Sequence, residues 1–138
     1  MHVVFENRVR FEETDAQGIV FYGNYLTYQD ETMMAYLEAV GYSYETIHAA
    51  DWETHVVHAA LDYRQPATFG DELENAARIR AINESSIEFE YECRREGEVL
   101  VEGSVVHVAV DADGQPTRVP QGFRDAVVGF QDEPPEPV

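Results

Sequence analysis

The stretch from Glu13 to Tyr25, ETDAQGIVFYGNY, holds the residues best placed to do chemistry. It sets one carboxylate, Asp15, in a loop that contains Gly18 and runs into a helix beginning near Asn24. A helix start offers backbone N–H groups without intrahelical partners, together with the positive end of the helix dipole. Such donors can hold the oxyanion that forms when a carbonyl is attacked, while the carboxylate attacks or activates a water. The same aspartate could simply cap a turn, since Asp side chains readily bond nearby backbone. Residue types and spacing leave both readings open.

Other catalytic layouts are missing. No Gly-x-Ser-x-Gly elbow occurs, and Ser104 in Glu102-Gly103-Ser104-Val105 does not resemble one. Dinucleotide and P-loop glycine patterns are absent. Cys93 is the single cysteine, which excludes an internal disulfide and a cysteine metal cluster. It alternates inward with Phe89 and Tyr91 and reads as a small core residue. His55 and His58 are three apart on a strand, hence on opposite faces, which is poor geometry for one metal. His58 could face the site, and His107, in a valine-rich strand, reads as core or interface. No metal is expected.

The elements that must position Asp15 follow from periodicity. Residues 3–12 read as a strand. The helix runs from Asn24, a good cap residue, to Val40, with Gly41 as its stop signal. Leu26, Met33, Leu37 and Val40 share its apolar face, and Asp30 falls among them. A carboxylate there must be hydrogen-bonded, paired or protonated. Ser43 opens a second short helix that ends near Trp52. Four strands follow between His55 and Val110; the clearest alternates Ile87, Phe89, Tyr91 and Cys93 with Glu88, Glu90, Glu92 and Arg94. A short helix covers Gly122 to Phe130, and the proline-rich residues 131–138 are expected to be disordered. The expected fold is α+β, one domain over residues 1–130, with one long helix wrapped by a curved antiparallel sheet of about five strands.

Charge narrows the partners. The 138 residues carry 27 acidic against 9 basic side chains, a net −18, and all the basic ones are arginine. That balance excludes a binder of nucleic-acid phosphates and disfavours an anionic membrane surface. Without a signal-peptide pattern or an apolar run long enough to span a bilayer, a cytoplasmic protein is expected.

The segment Asp15-Ala16-Gln17-Gly18-Ile19-Val20-Phe21-Tyr22-Gly23-Asn24-Tyr25 resembles the signature of hotdog-fold acyl-CoA thioesterases of the 4-hydroxybenzoyl-CoA thioesterase family. The likeness continues through Asp62-Tyr63-Arg64-Gln65-Pro66-Ala67 and Gly70-Asp71-Glu72-Leu73 to Val119-Pro120, roughly residues 5–120. It implies a hotdog fold, matching the element order above, and hydrolysis of an acyl-CoA thioester. Asp15 then matches the catalytic carboxylate, as nucleophile or general base, and Tyr22 the position whose backbone N–H polarises the thioester carbonyl. Gly18 lets the loop pass closely, Asn24 and Tyr25 fix the helix start, and Phe21 is a candidate for the acyl pocket. Asp30 matches an acidic position of the family, either anchoring a loop or contacting the acyl group. Coenzyme A enters as part of the substrate, with no separate cofactor. Where relatives place basic residues in a turn near the CoA phosphates, this chain has Asn83-Glu84-Ser85-Ser86, which leaves Arg64 and Arg94 as candidates. The resemblance also implies a homodimer, or a dimer-of-dimers tetramer, with sites between subunits. A non-catalytic acyl-thioester-binding module and a hotdog hydratase or dehydratase are the alternatives.

The acidic residues interleave with apolar ones along the strands instead of collecting in a tail, so they form a solvated face. Self-repulsion at −18 is costly in dilute buffer but is screened at high salt, where the Debye length falls to ~3 Å at 1 M. With arginine, the less strongly hydrated cation, replacing lysine throughout, a halophilic protein is expected. Its melting temperature should rise steadily from low to multimolar KCl; a flat response removes that reading.

Overall fold

In the computed structural model, which describes all 138 residues, the alternating segment becomes the central strand of one antiparallel sheet. The strands are β1 (His2–Arg8), β2 (Glu53–Tyr63), β3 (Glu72–Ile82), β4 (Ser86–Arg95) and β5 (Glu98–Val110), in the spatial order β1-β3-β4-β5-β2. The helices are α1 (Asn24–Ala39), α2 (Tyr44–Ala49) and α3 (Gln121–Phe130). Ile87, Phe89, Tyr91 and Cys93 are buried on one face of β4, while Glu88, Glu90 and Glu92 are partly exposed on the other. The side chains of α1 pack over the buried face, forming the core with Ile79, Tyr91, Leu100 and Val105. Fully burying side chains of this size stabilises by about 1.5–3 kcal/mol each.

The α1 stripe lies one residue round from the expected one. Tyr25, Tyr28, Gln29, Thr32, Met33, Tyr36 and Leu37 are buried, whereas Leu26 is 50% exposed and Asp30 faces solvent. Asp30 therefore leaves the apolar face, and its buried neighbour Gln29 donates from Nε2 to Ser104 O at 3.3 Å. Three of these seven buried residues are tyrosines, which an aliphatic pattern overlooks. The helix stops as expected: Gly41, at φ +87°, lets its own N–H reach Glu38 O at 3.0 Å and Tyr42 N–H reach Leu37 O at 2.8 Å.

Three further expectations change. The first strand ends at Arg8, because Phe11–Glu13 winds into a 3-10 turn held by Arg10 N–H on Glu13 Oε1 at 2.8 Å. A bulge between Val56 and His58 puts His55 opposite Val108 and His58 opposite Val106, so both imidazoles share the convex face. The tail expected to be disordered lies along the part of β3 that β1 does not reach. There Glu136 N–H donates to Arg80 O at 2.9 Å, Ile82 N–H donates to Pro137 O at 2.8 Å, and the Gln131 amide bonds both backbone groups of Ile79. A bare strand edge offers donors and acceptors that a polar tail can satisfy.

His107 is buried against the Phe89 ring at 5.1 Å, with neither ring nitrogen hydrogen-bonded. Desolvation lowers its pKa from 6.5 to about 4. Between those values the unfolded chain binds a proton that the native one does not. Stability from this group is thus complete above pH 6.5 and declines toward pH 4 by about 3 kcal/mol. In urea titrations at pH 7 and pH 4, wild type should lose more stability than His107→Leu; equal losses would remove His107 as the cause.

Candidate active site

The Asp15 loop is a tight turn bonded at both ends. Asp15 N–H donates to Ile19 O and Gly18 N–H to Asp15 O, each at 2.9 Å, and Gly18 takes φ +79°. That left-handed backbone is what requires glycine, since nothing lies within 4 Å of where a Cβ would stand. Close approach is therefore not its role. Bridges from Thr14 to Val20 and from Ile19 to Thr68 lash the turn to its surroundings, with Val20 N–H donating to Ala67 O at 2.9 Å. The partly buried Asp15 accepts the Gln17 N–H on Oδ1 at 2.8 Å, while its Oδ2 has no partner within the chain.

Between this turn and α1 the backbone is held by one acceptor. Glu13 O takes the Phe21 N–H at 2.9 Å and the Asn24 Nδ2 at 2.8 Å. Gly23, not Asn24, occupies the cap position, and Asn24 is the first helical residue, its amide spent on Glu13. The first turn closes with short i to i+3 bonds: Asn24 N–H to Phe21 O at 2.9 Å, Tyr25 N–H to Tyr22 O at 3.3 Å, and Leu26 N–H to Gly23 O at 3.2 Å. The N–H groups of Tyr22 and Gly23 donate to nothing in the chain.

A cavity of about 290 Å³ opens beside this junction, walled by Ile19, Val20, Tyr22 and Tyr25 from the loop and helix, by Tyr63 at the end of β2 and by Pro66 beyond it. Asp15 is not in its wall. Tyr25 is 3% exposed, its hydroxyl has no partner, and burial pushes that phenol up to about 12. Tyr28 beside it is likewise buried, unpartnered and raised by desolvation. Both hydroxyls are closed off from solvent inside the core. Phe21 is 46% exposed, with its ring 4.8 Å from Tyr22.

Three expected site residues stand away from the cavity. Asp30 projects into solvent and His58 sits exposed on the convex side of the edge strand. Arg94 points from the convex side of β4 and is held by Glu92, with Nε–Oε2 at 2.9 Å. Arg64 does border the cavity, but Glu102 engages its guanidinium at 2.9 Å and holds its pKa up. Sequence reasoning overlooked Tyr63, whose hydroxyl donates to Tyr22 O at 3.2 Å, and Glu13, which acts through its carbonyl. Backbone acceptors leave no trace in residue types, and a tyrosine at a strand end carries no motif.

Residues 9–127 match the Thioesterase-like superfamily. A 1,4-dihydroxy-2-naphthoyl-CoA hydrolase from Nostoc punctiforme is 29% identical over 134 residues, covering 93% of this chain and 85% of the relative. Among solved structures, a hypothetical protein from Thermus thermophilus superposes with a TM-score of 0.87 at 28% identity, over 94% of this chain and all of that one. A gentisyl-coenzyme A thioesterase superposes with a TM-score of 0.80 at 27% identity, over 87% of this chain and 98% of its own. With its five-stranded antiparallel sheet and long α1, the chain belongs to the Thioesterase-like superfamily and is a thioester hydrolase of the hotdog fold.

Proposed function

We propose that this enzyme hydrolyses an acyl-CoA thioester to a free acid and coenzyme A, with Asp15 as nucleophile or general base and the Tyr22 N–H as oxyanion donor. The observation that carries the reading is the uncommitted Tyr22 N–H at the start of α1, next to a turn whose carboxylate keeps Oδ2 free. Attack on the thioester carbonyl forms a C–O bond and moves charge onto the carbonyl oxygen, which the N–H stabilises. The C–S bond then breaks, the CoA sulfur leaves as thiolate, and the elements of water end on the acid and the thiol. The apolar cavity and the aromatic acyl groups named in two relatives favour an aromatic acyl chain. Asp15→Asn should lower CoA release, followed with a thiol reagent across an acyl-CoA panel in multimolar KCl, by about 100-fold or more at unchanged melting temperature. A full-rate Asn variant removes Asp15 from the reaction. A wild type that releases no CoA would favour a binding module.

The working unit on this reading is a homodimer joined through β2. That strand is eleven residues long, forms one edge of the sheet, and leaves Val56 52% and Val57 61% exposed. A long apolar edge invites pairing with another strand, and a twofold axis pairs it antiparallel with its own copy. Such pairing continues the sheet at the end where Tyr63 walls the cavity. Light scattering should give a dimer or dimer-of-dimers mass for wild type and a monomer mass, with lost activity, for Val57→Lys. A monomeric, active wild type would overturn this assembly.

A further inference from the structure

The peptide joining Tyr22 to Gly23 is held from one side and free on the other. Its carbonyl, Tyr22 O, accepts the Tyr25 N–H at 3.3 Å and the Tyr63 hydroxyl at 3.2 Å. A trans peptide directs its N–H opposite to its C=O, so the Gly23 N–H faces away from those two donors. It lies off the open end of α1, beside the equally free Tyr22 N–H. Tyr63 itself is fixed by edge-on contacts with the rings of Tyr22 at 6.3 Å and Tyr25 at 5.7 Å. All three tyrosines wall the same cavity.

We infer that the oxyanion is held by two donors, the N–H groups of Tyr22 and Gly23, and that Tyr63 is the positioning residue that orients and polarises the peptide carrying the second. The inference rests on the thioesterase reading and extends it to residues outside the Asp15 segment's single expected donor. A hydrogen bond accepted at the carbonyl strengthens the donor at the other end of the same amide, because linked hydrogen bonds polarise one another. Two N–H groups aimed at one oxygen also fix the direction in which the thioester carbonyl lies, and with it the face presented to attack.

Gly23 permits a clean deletion of its donor. Its φ of −64° is the value proline imposes, and its N–H makes no bond that proline would break. A Cβ there meets the movable Phe21 ring at 2.8 Å in Gly23→Ala and Gly23→Pro alike, so their ratio isolates the N–H. We expect kcat for Gly23→Pro to be about 100-fold below that of Gly23→Ala, with similar KM. Tyr63→Phe keeps the ring and should lower kcat about 10-fold, again with KM unchanged. A spectroscopic readout separates positioning from stability. With a ¹³C-labelled thioester bound to Asp15→Asn enzyme, the carbonyl stretch should move to lower frequency. That movement should shrink when Gly23→Pro or Tyr63→Phe is added. Equal kcat for the Pro and Ala variants, or an unaltered carbonyl shift, overturns the second donor while leaving the thioesterase reading intact. Absence of any CoA release by wild type overturns the thioesterase reading, and the carbonyl shift still tests the donor pair. Should Gly23→Pro melt below Gly23→Ala, the kcat and carbonyl shift of Tyr63→Phe decide.

Discussion

Glu13 O accepts two hydrogen bonds, one from the Phe21 N–H and one from the Asn24 side chain. Between those two donors the chain has only Tyr22 and Gly23 with which to turn into α1. Their N–H groups bond no acceptor in the chain, while Glu13 O is taken by the residues on either side. Helices begin with unsatisfied donors; here the Asn24 side chain donates to the incoming loop instead. The Asp15 turn is tied to the same region through the Thr14–Val20 bridge. One acceptor thus sets the approach of the carboxylate loop, the start of the helix and the vacancy of the donors.

The charge pattern bears on how a polyanionic substrate is held. Arg10, Arg64, Arg78, Arg80, Arg94, Arg95 and Arg118 each lie within ion-pair distance of a carboxylate. Arg124 is buried and bonds the backbone carbonyls of Val119, Ile82, Asn83 and Glu84, closing the β3–β4 hairpin. With seven arginines paired to the protein's own acids, Arg124 bound to backbone and only the exposed Arg8 in neither arrangement, backbone donors and the apolar cavity are left as the main recognition chemistry. High salt, which weakens steering between exposed charges, costs such a site little.

How far the sequence disclosed this depends on what carries each feature. β4 was legible because glutamate and apolar residues alternate without a break, and the α1 stop because glycine best tolerates the left-handed backbone at residue 41. The face of α1 was not, since its buried stripe is built from Tyr25, Tyr28, Gln29, Thr32 and Tyr36, residues whose types suit surface and interior alike. The β2 bulge that moves His58 onto the side of His55 inserts one valine among valines and leaves no compositional sign. Asn24 was recognised as important, but as a cap; its partner is a carbonyl eleven residues upstream, a tertiary relation that spacing cannot express. Asp15 reads in the sequence as a loop carboxylate or a turn cap, and its bond to Gln17 N–H makes it the latter without using its second oxygen. The two readings of that residue are compatible, because a carboxylate has a second oxygen.

Tyr63 connects the sheet edge to the chemistry. It is the last residue of β2, the strand whose outer edge is bare, and its hydroxyl is the one side-chain donor to the Tyr22–Gly23 peptide. At 48% exposure in a single chain, that hydroxyl competes with water for its acceptor. Strand pairing along β2 would draw Tyr63 away from solvent, and a hydrogen bond gains strength as the local dielectric falls. Desolvation already raises its phenol pKa, which keeps the group protonated and able to donate throughout the neutral range. In the proposed dimer, covering the sheet edge would strengthen the hydrogen bond that holds the donor peptide. Assembly would then act on the rate through one hydroxyl, without placing any further charged group at the reacting carbonyl.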